Sequence, residues 1–245
     1  MKRLLILGCA LVLALALGGQ AGAAGVKLNY YKATVSQDVY RDLEAKGTDI
    51  AAATDVAAGV RLELVLTPSQ VSALKKQGVN VSLLRNSKGQ TARQAAAAQL
   101  SSGFNVWRDY DGADGLRAYL YDLARRNPQL TKLEVLGHTD KGREIIALKL
   151  TQGARDVPDG TRPAVLYSSA QHAREWISPE VNRRLLAYFI AQWRANNKAI
   201  KDLLKENELW FVLVANPDGY QYTFSSPDTR LWRKTLRDNN GNGTT

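Results

Sequence analysis

Residues 163–193, PAVLYSSAQHAREWISPEVNRRLLAYFIAQW, decide the fold class. The first eight residues, PAVLYSSA, form an apolar run bounded like a buried strand. From Pro179 to about Ala195 the spacing becomes helical, with Val181, Leu185, Phe189 and Trp193 expected on one face. Ser178 reads as the N-cap, Pro179 as the first helical residue, and Glu180 as an acid that the helix dipole favours in the first turn. Glu180 therefore has a structural explanation and is not counted as catalytic. The loop QHAREWI lies between strand and helix, at the strand's carboxyl end, where open α/β sheets place their ligands.

The flanking sequence extends this pattern. LRAYLYDLARRNPQL, residues 116–130, is an amphipathic helix stopped before Pro128. TKLEVLGHT and REIIALKLT read as strands joined by Asp140-Lys141-Gly142. LWFVLVA, residues 209–215, is an uninterrupted apolar strand ended by Asn216-Pro217-Asp218-Gly219. Strands alternating with helices, some apolar throughout, predict an α/β unit with a mixed, largely parallel sheet covered by helices on both faces.

A smaller unit precedes it. KLNYYKATV predicts a strand, SQDVYRDLEAKG a helix ended by Gly47, and residues 48–53 a weak strand. GVRLELVLT alternates, with Val60, Leu62, Leu64 and Leu66 on one face. Thr67-Pro68-Ser69-Gln70 supplies an N-cap, a first-turn proline and a capping-box glutamine. Gly78 ends that helix, and VNVSLL returns as a strand. The order β-α-β-β-α-β predicts a small α+β ferredoxin-like open sandwich. Leu43 to Ile50 echoes Leu74 to Val81, each a helix end with a glycine cap and a strand after it. Residues 86–103 are small, polar and Ala-rich, a linker with a short helix through its alanines. Arg85 and Arg93 stand there as points a protease could reach.

Composition narrows the functional classes. Apolar residues make up 45% of the 245, enough for a real core. The net charge of +10 is spread through helix-like segments with no basic run and no reader motif, so nucleic acid is not expected as a partner. Lys2 and Arg3, the apolar stretch from Leu4 to Leu17, and Ala21-Gly22-Ala23 have the order of a secretory signal peptide. Its removal would take away Cys9, the only cysteine, and with it any disulfide or thiol chemistry. Too few apolar residues precede Cys9 for a lipid-attachment site. The expected organisation is a signal peptide over 1–23, a small α+β domain over 24–85, a linker over 86–103 and the α/β domain over 104–245. The mature protein is expected to be a secreted monomer without stable membrane association.

His172 and Glu175 are the residues in this stretch best suited to chemistry. Imidazole nitrogen and carboxylate oxygen are good zinc ligands, and three positions of separation in a tight turn let both reach one ion. Taken alone the pair is a weak signal, and a hydrogen-bonded structural histidine is the commoner explanation. Its order also differs from the helical H-E-x-x-H arrangement.

Four short motifs in sequence order sharpen the reading: Gly142-Arg143-x-Ile145, His172-Ala173-Arg174-Glu175-Trp176-Ile177, Asn216-Pro217-Asp218-Gly219-Tyr220 and Arg230-x-Trp232-Arg233-Lys234. With these motifs the region from Tyr110 to Arg237 resembles the zinc metallocarboxypeptidases of the carboxypeptidase A/B type. The preceding small unit resembles their prodomains. The resemblance implies a peptide hydrolase acting on peptide or protein C-termini, with one Zn2+ held in part by His172 and Glu175. It makes Arg233 the catalytic group that polarises the scissile carbonyl and stabilises the oxyanion, and Arg174 a secondary substrate contact. Arg230, Lys234 and Arg237 read as a solvated basic turn, and Asn216 to Gly219 as a turn that positions the Arg233 segment. The family's third zinc ligand, its carboxylate-binding Asn-Arg pair, a capping Tyr and the catalytic Glu have no counterpart before Thr245. His138 reads as an exposed turn residue. The sequence is therefore expected to be an incomplete, inactive chain of a larger zymogen. The competing expectation is a non-catalytic secreted binding module with a degraded metal site.

Overall fold

Strand alternation organises the first part of the molecule. The structure is a computed structural model describing residues 27–104, 106–239 and 241. The expected signal peptide lies outside these residues. Strand β1 (Asn29–Val35) leads through helix α1 (Gln37–Ala45) to strands β2 (Ile50–Val56) and β3 (Gly59–Leu66), then helix α2 (Pro68–Lys76) and strand β4 (Ser82–Leu83). All pairings are antiparallel, in the order β2-β3-β1-β4. Val60, Leu62, Leu64 and Leu66 of β3 are buried together with Val35 and Leu74, so one strand supplies much of this core. The capping box forms: Gln70 N donates to Thr67 Oγ1 at 3.2 Å, and Thr67 N donates to Gln70 Oε1 at 2.8 Å. Gly47 and Gly78 follow the two helices at φ +65° and +80°, so the repeated pattern is a recurrent helix stop.

Residues 86–103 are better ordered than a plain linker. Helix α3 (Ala92–Ser102) opens on a second capping box, between Thr91 and Gln94. It lies against β1 and buries Ala96. The Arg93 side chain is half exposed, and its guanidinium pairs with Asp228 through both carboxylate oxygens.

The larger unit contains α4 (Leu116–Arg126), β5 (Thr131–His138), β6 (Glu144–Leu150), β7 (Ala164–Ser168), α5 (Ile177–Arg194), α6 (Lys198–Glu206), β8 (Glu208–Val212) and α7 (Pro217–Tyr222). Its sheet has the order β5-β6-β8-β7. The sheet is mixed, but the expected parallel majority is absent among the described strands. Only β7 and β8 run parallel, because α5 and α6 carry the chain back between them. The tight connection of β5 to β6 forces an antiparallel pair, and β6 meets β8 antiparallel as well.

Two other expectations are corrected. Strand β7 is not buried: Val165 and Leu166 are 46% and 64% exposed, since only β8 flanks it among the described residues. Helix α5 starts earlier, and its inward face is shifted from the expected one at Val181. Trp176 holds the N-cap position, and Ser178 instead accepts from Ala170 N at 3.1 Å and donates to Glu175 O at 2.9 Å. Asn182, Leu186, Phe189 and Ile190 form a buried stripe; of the expected face Phe189 is among them, Leu185 and Trp193 pack partly buried against the core, and Val181 faces outward. A polar member hid that stripe: Asn182 donates to Tyr167 O and Ser169 Oγ, anchoring the helix to the end of β7.

A buried ion pair crosses the sheet centre. Lys149 on β6 and Glu208 on β8 are both 0% exposed, 3.1 Å apart. Lys149 Nζ also donates to Val157 O and Asp159 Oδ1, and Glu208 Oε2 accepts from Gly160 N and Trp210 Nε1. Removing one partner leaves a buried charge uncompensated. Lys149→Met should therefore cost about 3 kcal/mol in urea unfolding, and adding Glu208→Leu should restore most of it. A Lys149→Met loss no larger than that of a surface lysine would show that the pair is effectively solvated.

Candidate functional site

The site begins where β7 ends. Ala170 is fully buried at φ +50°, a left-handed conformation that costs a non-glycine residue about 1 kcal/mol. That reversal turns residues 171–176 out over the carboxyl end of the sheet. Trp176 then fixes the loop. Its indole is 2% exposed and stacks on Phe224 at 3.9 Å between centroids, while the Arg230 guanidinium lies 3.6 Å from its ring centre. At those distances the two must occupy opposite faces. Trp176 Nε1 donates to Thr223 Oγ1 at 2.6 Å.

Arg230 is thus not part of a solvated turn. It donates to Arg174 O at 2.9 Å, and burial pushes its pKa down to about 10. Stacking on an aromatic face suits guanidinium, which is weakly hydrated. Lys234 and Arg237 remain exposed, as expected of them. His138 is also exposed, at the end of β5.

Within the loop, His172 Nδ1 lies 2.9 Å from Glu175 Oε1, and both side chains are about half exposed. The Glu175 N–H donates to His172 O, which tightens the turn. Two zinc ligands at about 2.1 Å and a tetrahedral angle stand roughly 3.4 Å apart. The pair therefore matches two corners of such a site after opening by about half an ångström. No group of three or more His, Cys, Asp or Glu side chains able to hold a metal occurs among the described residues. The donors present fit part of a zinc site, with the remaining corners to be supplied from elsewhere.

Arg233 reaches the same place from another segment. The Ala173 N–H donates to Arg233 O at 3.0 Å, so the backbone of the arginine segment runs directly beside the loop. Arg233 and His172 both line a cavity of about 950 Å³ between the two units. Across that cavity stands Asp49, a residue without any distinguishing sequence signal. Its carboxylate takes both terminal nitrogens of Arg174, and Arg233 Nε lies 4.0 Å away. The small unit thus places one carboxylate on both arginines expected to face substrate. The Arg174 side chain is only 9% exposed, so the pair is largely desolvated.

Asp49→Ala should loosen the contact between the two units by about 1.5–3 kcal/mol. Hydrogen exchange over residues 46–50 and 172–175 would read this as faster exchange in both segments. Unchanged exchange in either segment would mean that the carboxylate does not hold the units together.

Among known proteins, the zinc carboxypeptidase (Peptidase_M14) family model matches residues 116–244, just over half of the chain. Zinc carboxypeptidase A 1 of Drosophila melanogaster is 29% identical over 209 residues, covering 81% of this chain and 47% of that protein. Carboxypeptidase B of Astacus astacus is 35% identical over 129 residues, covering 53% of this chain and 39% of that protein. The crystal structure of the carboxypeptidase A from Helicoverpa armigera superposes with a TM-score of 0.60 at 21% identity, covering 87% of this chain and 54% of that one. This last likeness supports the α/β fold with its mixed sheet. The chain spans less than half the length of these two curated relatives.

Proposed function

The chain belongs to the zinc carboxypeptidase family, and we propose that the protein is a secreted zinc-dependent carboxypeptidase that removes C-terminal residues from peptides or proteins. In this reading residues 104–245 are the N-terminal half of the catalytic domain and 1–23 a signal peptide. Residues 24–85 form a ferredoxin-like prodomain, and 86–103 join it to the catalytic domain. One observation carries the proposal: His172 and Arg233 line one cavity, and Glu175 lies 2.9 Å from His172 in the loop after β7. No helix among the described residues is long and apolar enough to cross a membrane.

His172 and Glu175 would hold the zinc, with further ligands from the rest of the protein. Zinc bound there would supply a Lewis acid beside the scissile carbonyl. Arg233 would aim its guanidinium at the charge that develops on the carbonyl oxygen, where a fixed cation stabilises the transition state more than the ground state. Arg174 would contact the substrate farther from the cut bond. Asp49 pairs with Arg174 and stands 4.0 Å from Arg233, so the small unit would compete with substrate at the cavity and act as an inhibitory segment. The loop at 84–91 would be the place for its removal. Arg85 and Lys88 are exposed there, and Arg93, also exposed, pairs with Asp228.

Full-length protein supplied with zinc should release the terminal residue of a peptide, and a chelator should abolish that release. Arg233→Ala should lower kcat by about 10²–10³-fold. Absence of chelator-sensitive release would favour the second reading, a non-catalytic binding module. The reason to keep that reading is that, among the described residues, no third ligand side chain joins His172 and Glu175 at this loop. For the small unit, cutting within 84–91 should raise the activity of the full-length protein. Equal activity before and after cutting would exclude an inhibitory role.

A further inference from the structure

Asn216 makes contacts that its place in a turn does not require. Its Oδ1 accepts the Gly219 N–H at 3.0 Å, which caps α7 and fixes which end of the amide is oxygen. The two hydrogens on Nδ2 are then left to point away from the turn. They meet two carbonyls from separate segments: Gln171 O at 3.4 Å and Lys234 O at 3.1 Å. Gln171 immediately precedes His172, and Lys234 immediately follows Arg233. One buried amide therefore touches both segments of the candidate site.

The surroundings favour this bridge. A Cβ on Gly219 would lie 2.5 Å from Lys234 O and 2.6 Å from Asn216 Nδ2, so only glycine lets the turn approach so closely. Two residues after Asn216, the buried Asp218 accepts from Thr139 Oγ1 at 2.8 Å, Lys141 N at 3.2 Å and the Arg143 guanidinium at 2.9 Å. These donors belong to the turn between β5 and β6. The rigid β5–β6 hairpin thus holds Asp218, Asp218 holds the turn, and the turn presents Asn216 to both site segments.

We propose that Asn216 is a positioning residue that sets the distance between the His172–Glu175 loop and Arg233, with the β5–β6 turn as its fixed anchor. The inference rests on reading these three residues as the reacting groups, and it assigns Gly142-Arg143 and Asn216-Pro217-Asp218-Gly219 to one device. Its physical content is that the Ala173–Arg233 main-chain bond is held closed by the Asn216 amide. Displacements of about 1 Å between such groups suffice to cost large factors in rate.

The test uses the chain as it is. Asn216→Ser and Asn216→Asp both keep an oxygen suited to capping α7, but neither keeps the two amide hydrogens. Amide exchange would be followed residue by residue in the wild type and both variants. The Ala173 amide should exchange at least tenfold faster in both variants, with the Gly219 amide and those of β5–β6 within about twofold of wild type. Wild-type exchange at Ala173 would overturn the proposal. So would equal acceleration at Ala173 and across β5–β6, because Asn216 would then act on the fold as a whole. The proposal would likewise fall if only the Gly219 amide accelerated, since that describes a turn cap alone. Neither zinc nor peptide enters the measurement. A chain that binds no metal can pass it, and an active carboxypeptidase can fail it.

Discussion

The Trp176 side chain is the constraint on which the site depends. It lies between Phe224 and Arg230, with its N–H on Thr223. Four segments meet there: the loop after β7, the start of α5, the residues after α7 and the segment that carries Arg233. An aromatic side chain of this size contributes a large buried area, and its polar edge accepts only one hydrogen-bond geometry. The loop is therefore fixed from its C-terminal end by packing and from its N-terminal end by the left-handed turn at Ala170. His172, Arg174 and Glu175 lie between two fixed points only a few residues apart, which lets a loop present them with the precision of a regular element.

The basic character of the chain has a related explanation. Several arginines are matched to buried carboxylates or aromatic faces rather than spread over solvent. Glu180 is held below the usual carboxylate range: burial alone would raise it, but Arg183 and Arg184 donate to it and Arg108 lies close by. Asp218 takes Arg143, and Asp49 takes Arg174. Each pair joins elements distant in sequence or fixes one turn of a helix. Planar, multidentate guanidinium suits these sites better than ammonium. A total of +10 thus says little about partners, because many of the cations already have internal ones.

Local patterns made much of this legible. The alternation in residues 59–67, the capping box at Thr67 and the helix stops at Gly47 and Gly78 each depend on a few neighbouring residues, and each appears where the sequence puts it. Features that depend on distant partners were hidden. The exposure of β7 follows from which strands flank it, and the inward stripe of α5 contains Asn182, whose partners lie at the end of β7. At the candidate site, the short spacing from His172 to Glu175 is visible in sequence because both sit in one turn. Asp49 is not visible, since it matters through a residue 125 positions away, and of Asn216 the sequence shows the positioning turn but not the side-chain contact 18 positions on. Arg230 looked solvated because charge counts toward the surface in any pattern, and only the position of Trp176 reverses that.

The contact of Asp49 with the arginines also depends on how the two units are joined. Within one chain a short connection keeps the partners at an effective concentration in the millimolar range. A one-to-one contact that must survive without that connection needs about 4 kcal/mol merely to reach millimolar affinity. A single bidentate pair, with water at its edge, supplies less than that on its own. The connection therefore matters more to the closed arrangement than the ion pair does. Helix α3 adds to it through Arg93 and Asp228, an exposed pair whose own contribution is small but which fixes where the connection runs. A break before α3 leaves that helix on the larger unit, where its packing on β1 remains as a contact with the smaller unit. A break after α3 leaves the helix with the smaller unit, so β1, Asp49 and Arg93 would still act together. Either break severs the covalent connection, and its position decides which of the helix's contacts, with β1 or with Asp228, then spans the two units.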